Sequence, residues 1–135
     1  MKRMIPYLLL AAAFLACGDS TGTDSDSDPE SIATGAWTGT TGSGLTFDFT
    51  VGAGAAEITQ IVYRFSGLQC GGVTLSSGSI TSSRTPGWPI SNRQFEIART
   101  GDPPITISGT FASNGTTASG NWDWLTCSGT WTGSH

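Results

Sequence analysis

The stretch Leu45-Thr46-Phe47-Asp48-Phe49-Thr50-Val51 alternates apolar and polar residues without a fault. Side chains of a β-strand point to opposite faces with a period of two, so this pattern describes a strand with one face buried and the other in water. A helix would scatter the same four apolar residues around its axis, where no single partner could cover them. The period returns at Ile105, Ile107 and Phe111, set against Thr106, Ser108 and Thr110. It returns again at Ala118, Gly120, Trp122 and Trp124, set against Ser119, Asn121 and Asp123. Ala36 to Thr41 around Trp37, Gln94 to Ala98 around Phe95 and Ile97, and Ser128 to Thr132 around Trp131 read the same way.

Glycine-rich punctuation separates these runs. Gly42-Ser43-Gly44, Gly52-Ala53-Gly54 and Gly101-Asp102-Pro103 are turns, and Asn114-Gly115 is a two-residue hairpin signal, because both residues tolerate positive φ. Asn114-Gly115-Thr116 is also a glycosylation sequon, read here as the turn. In Ile58 to Phe65, Ile61, Tyr63 and Phe65 share a face while Ile58 falls out of step, and a bulge near Gln60 restores the register. Ser66 to Gly72 reads as a loop around Cys70, followed by short strands at Val73 to Leu75 and Ser79 to Thr81. Arg84 to Pro89 (RTPGWP) reads as a proline-bounded loop that projects Trp88. The prediction is an all-β domain, a small antiparallel β-barrel or β-sandwich of about 7–8 strands, preceded by a signal peptide and a disordered tether.

The N-terminal region has another character. Lys2 and Arg3 precede an apolar run from Ile5 to Leu15. At about eleven residues the run falls short of the roughly 20 that span a bilayer, and it suits the core of a secretory signal. Gly18 to Ser31 has no aliphatic residue and carries Asp19, Asp24, Asp26, Asp28 and Glu30, so it reads as a solvated spacer with a reach of about 20 Å. Its Asp-Ser-Asp-Ser-Asp run is not a calcium loop, because Pro29 stands at the turn glycine and Gly35 at the bidentate position. The organisation is thus a leader over 1–16, Cys17 and the tether over 17–31, and the all-β domain over 32–135. From Ile32 onward four arginines face five carboxylates, a net charge of about −1 that offers nucleic acid no basic patch.

Phe14-Leu15-Ala16-Cys17 resembles the lipobox of bacterial lipoproteins, in which a small residue precedes a cysteine that is acylated and becomes the mature N-terminus. The resemblance implies a membrane partner through a lipid on Cys17 and a place in the cell envelope. In a host with an outer membrane, Gly18, where some relatives carry a retention Asp, implies the outer membrane. A cut after Ala13 is the competing site and would leave Cys17 a free thiol. Cysteine parity favours the lipid: with Cys17 consumed, Cys70 and Cys127 are an even pair whose default in an oxidising compartment is a disulfide. Two buried free thiols are the alternative. Gly35-x-Trp37, Ile105-x-Ile107-x-Gly109-x-Phe111, Ala118-x-Gly120 and Gly129-x-Trp131 resemble small exported bacterial β-domains of unassigned function. Gly35-x-Trp37 is also similar to the opening of avidin-type and lipocalin-type barrels.

An inventory of reactive side chains narrows the function. The one histidine is the terminal His135, where fraying works against a positioned base, and the domain has no lysine and no Gly-x-Ser-x-Gly elbow. Gly52-x-Gly54 is followed by a β-branched run, not by the helix of a nucleotide-binding loop. Two of Asp48, Glu57, Glu96, Asp102 and Asp123 would suffice for glycoside hydrolysis, but each has a plainer place on a polar strand face or beside a turn. No catalytic residue, metal or cofactor is assigned, and the chain is read as a non-enzyme. Five tryptophans remain as the conspicuous chemistry. Trp37, Trp122, Trp124 and Trp131 are expected to fill a core short of Leu and Met, and Trp88 first, with Trp122 and Trp124, are the candidate contacts for a glycan or small ligand. The expected function is a membrane-anchored envelope lipoprotein that binds such a ligand. The alternative is a structural or protein-interaction lipoprotein without one.

Overall fold

In the computed structural model, which describes residues 30–101 and 104–135, Leu45, Phe47, Phe49 and Val51 are all buried, while Thr46, Asp48 and Thr50 reach solvent. The strands are β1 (Gly35–Thr41), β2 (Leu45–Val51), β3 (Glu57–Phe65), β4 (Leu68–Cys70), β5 (Val73–Leu75), β6 (Gly78–Ser91), β7 (Gln94–Arg99), β8 (Ile105–Phe111), β9 (Thr117–Trp124) and β10 (Cys127–Ser134). Eight of them form a closed antiparallel barrel in the order β1-β10-β9-β8-β7-β6-β3-β2, and β4 with β5 makes a separate two-stranded sheet. Closure comes from β1 pairing with β10, Thr38 opposite Ser134 through Thr41 opposite Trp131, which satisfies the two strand edges a sandwich would leave open.

Eight strands enclose a bore that side chains can fill. Aromatic rings do so here: Trp37 meets Phe111 edge-on at 5.0 Å, Phe47 meets Trp131 at 5.0 Å, and Phe95 meets Phe111 at 5.2 Å. Each such pair adds about 0.5–1.5 kcal/mol beyond burial. Inward-facing glycines make the room. A Cβ on Gly39 would lie 2.5 Å from the Phe47 ring, so that position takes no larger residue.

The expected bulge is present, with the β3–β6 register shifting between Ile58 and Gln60. Four sequence expectations change. Leu68–Cys70, read within a loop, is strand β4 and pairs with β5. RTPGWP is not a projecting loop, because β6 runs through it: Arg84 to Gly87 form an irregularity between Ser83, opposite Gln60, and the pairs Ile58–Trp88 and Glu57–Pro89. Gly87 N donates to the Glu57 carboxylate at 2.7 Å and anchors the segment on β3, a contact invisible to local sequence. The proline acts on the other side of the strand. Ile90 N donates to Ala56 O at 2.8 Å toward β3, so the nitrogen of Pro89 faces β7 with no hydrogen to give. The β6–β7 ladder is accordingly confined to Ile90–Phe95 and Ser91–Gln94.

The Asn114-Gly115 turn is wider than two residues. Its connection runs from Ala112 to Thr116, with Asn114 Oδ1 accepting from Thr116 N and Thr117 N at 3.1 Å each. Finally, Glu30 and Ser31, assigned to the tether, lie on the barrel. Glu30 N donates to Ser113 O at 2.8 Å, and Arg93 Nη1 donates to Glu30 O at 2.8 Å. Arg93 also donates to Phe111 O and Ala112 O, bridging the incoming chain and the β8–β9 connection.

Candidate functional site

The residues singled out by sequence separate into three groups. Cys17 lies outside the described residues. Cys70 and Cys127 are joined by a disulfide, with Cα atoms 5.1 Å apart. Trp88, Trp122 and Trp124 are only 5%, 2% and 2% exposed. The projecting Trp88 is therefore corrected: its indole packs in the core, because β3 supplies the strand face that RTPGWP lacked on its own. In the closed barrel none of the three offers a ring face to solvent. The indole nitrogens of two of them, Trp88 and Trp124, differ from those of Trp37 and Trp131. Trp37 Nε1 donates to Ala33 O and Trp131 Nε1 to Ser108 O, whereas Trp88 Nε1, Trp124 Nε1 and the Tyr63 hydroxyl are buried with no partner among the described residues.

His135 is also better held than a fraying terminus. Its backbone N donates to Thr116 O, its Nε2 is 2.9 Å from Thr34 O, and its ring meets Trp37 edge-on at 5.8 Å. Two of the carboxylates have plain structural uses. Asp48 pairs with Arg64 on the surface, and Glu57 holds Gly87. Asp102 lies outside the described residues. Among those described, no three His, Cys, Asp or Glu side chains cluster as metal ligands would.

A concavity on the outer wall was missed by sequence reading. Gly109 and Gly120 are cross-strand partners on β8 and β9, and the rings of Phe95 and Trp131 press against Gly109 from inside. Without side chains at these inward positions the wall sinks toward the rings, and its outer face is dented. The resulting groove has a volume of about 520 Å³ and is walled by Asn92, Gln94, Glu96, Ser108, Thr110 and Asn121. No family model, curated protein or solved structure matches the chain. The groove is therefore judged on its chemistry alone. Gln94, Glu96 and Asn121 are exposed, and their side chains make no hydrogen bond to another described residue. Together they present amide donors, amide acceptors and one carboxylate, the set that matches a polyhydroxylated ligand. A second dent of about 490 Å³ on β1, β9 and β10 has a mainly apolar surface, although Thr38, Thr40, Ser119 and Thr132 are among its lining residues. A signal for the first groove was present in the sequence, as glycines at facing inward positions of adjacent strands, but register is needed to read it.

Proposed function

We propose that the chain is an envelope lipoprotein, anchored through Cys17, whose barrel binds a glycan or similar polar small ligand in the groove between Gln94, Glu96 and Asn121. The observation that carries this reading is the uncommitted amide and carboxylate lining over a glycine floor. Binding is favoured over hydrolysis because Glu96 is the single carboxylate lining the groove among the described residues, and glycoside cleavage uses two at about 5–10 Å separation. The tryptophans, being interior, set the shape of the wall behind the groove and do not stack on the sugar.

The test is a ¹⁵N NMR titration of the full chain with soluble cell-wall glycan fragments and neutral oligosaccharides. Saturable shifts should gather at Gln94, Glu96 and Asn121 and vanish in the Gln94→Ala/Asn121→Ala double variant, which keeps the barrel's dispersion. No shift at these residues with any glycan would end the proposal. The anchor is tested separately: intact mass of the membrane-extracted protein should show acyl chains on Cys17, and an unmodified cysteine would refute it.

A second reading, a protein-interaction lipoprotein without a small ligand, draws on a different feature. Val73, at the start of β5, and Leu125, in the β9–β10 turn, are 57% and 56% exposed and flank the two segments that the disulfide ties together. Loss of a cross-linked envelope partner on Val73→Ser/Leu125→Ser would favour it.

A further inference from the structure

Residues 66–77, between β3 and β6, leave the barrel wall, form the β4–β5 sheet and return. Leu68 is fully buried and Cys70 is 2% exposed, while Gln69 between them faces solvent, so one face of this hairpin plugs the barrel pole opposite the incoming N-terminal chain. The plug is fastened at its tip. Cys70 is bonded to Cys127 at the start of β10, and Gly71 packs so closely on Thr126 that a side chain there would lift the hairpin. At its base Gly67, with φ of 65°, has open space beside it, and Gly78 ends the return. Ser66 N donates to Gly44 O at 3.1 Å and fixes the chain just before Gly67, which leaves Gly67 and Ser76-Ser77 as the points about which the hairpin turns once the fastening is released.

Two buried donors belong to the strands that end at this pole, β3 and β9. Phe65 on β3 reaches across to Trp124 on β9, with ring centroids 5.2 Å apart, and Tyr63 stands two residues from Phe65 on the same strand. The Tyr63 hydroxyl and Trp124 Nε1 are both buried and both without a partner among the described residues. Folded proteins rarely leave such groups unbonded, so each calls for an acceptor. Burial holds the Tyr63 phenol above its ordinary pKa and therefore protonated, with the Arg99 guanidinium opposing that shift.

We propose that this pole is a second ligand site, independent of the outer groove, for a small carboxylate with an apolar body, opened by reduction of Cys70–Cys127. With the hairpin displaced, the apolar body takes the place of Leu68, and the carboxylate accepts hydrogen bonds from Tyr63 Oη–H and Trp124 Nε1–H. The reductant is a dithiol. Its thiolate attacks Sγ of Cys127, the more exposed of the pair, and the S–S bond breaks to release Cys70 as a thiolate that takes up a proton. The second sulfur of the dithiol then displaces Cys127. Two electrons and two protons pass to the protein, leaving two cysteine thiols and an oxidised dithiol.

Benzoate is the probe, titrated into the ¹⁵N-labelled full chain with and without dithiothreitol, and into Cys70→Ser/Cys127→Ser without reductant. The Trp124 indole N–H signal should move downfield, saturably, in the reduced and double-serine proteins and stay fixed while the disulfide is intact. Tyr63→Phe and Trp124→Phe should each weaken binding about tenfold or more, the worth of one hydrogen bond to a charged acceptor. Benzyl alcohol, which lacks the carboxylate, tests the same point without a variant and should also bind about tenfold more weakly or worse. Equal binding with the disulfide intact overturns the proposal. So do no binding after reduction, undiminished binding of benzyl alcohol, unchanged affinity in both phenylalanine variants, and collapse of amide dispersion on reduction, which would make the disulfide structural and not a latch.

Discussion

The indole of Trp131 occupies the space that a Cβ on Gly109, two strands away, would need, and the Phe95 ring stands 2.7 Å from the same point. Neither ring can retreat, because Trp131 is also held by its Nε1 bond to Ser108 O at 2.9 Å and by Phe47. Gly109→Ala should therefore destabilise the barrel by about 2 kcal/mol through overpacking. Urea denaturation measures this, with Gly42→Ala as the control, since a Cβ there meets nothing within 4 Å. Equal midpoints for the two variants would show that the rings are not packed as described.

Trp88 divides the local reading from the folded one. As a loop residue it would tolerate truncation, whereas as a core residue at 5% exposure it should not. Trp88→Ala should lower stability by about 3 kcal/mol or more, the usual cost of removing a buried indole. A denaturation midpoint within error of wild type would return Trp88 to the surface.

Tyr63 gives the barrel an alkaline limit. Its phenol, whose ordinary pKa is 10.0, is raised on folding by desolvation, with Arg99 opposing. A folded-state pKa above the unfolded one means that the native form keeps its proton when the unfolded chain has lost it. The associated stability is complete below pH about 10 and declines progressively above it. Lys2 is the chain's one lysine and Tyr7 its other tyrosine, both outside the barrel strands, so within the barrel the transition belongs to Tyr63. Melting temperature should fall above pH about 10 in the wild type and much less steeply in Tyr63→Phe. Parallel pH profiles would contradict this.

The groove and the plug show why sequence carried the fold further than the site. Gly109 and Gly120 are each visible as inward positions, but only the β8–β9 register sets them opposite each other and brings Gln94, Glu96 and Asn121 around one dent. Leu68-Gln69-Cys70 reads locally as loop, and its buried face exists only because the barrel mouth lies beneath it.

By itself the sequence determined that this chain is a β protein, which side chains each alternating strand turns inward, where the bulge in β3 falls and that Cys70 and Cys127 suit a disulfide. Those features follow from periods of two and from parity, which are properties of neighbours along the chain. Tertiary structure alone decided that β10 closes onto β1 to make a barrel, that Trp88 is interior, that His135 is held, and that Glu30 is clamped by Arg93. Each of these depends on a partner many residues away, and a strand's pattern specifies which face is buried without specifying what will cover it.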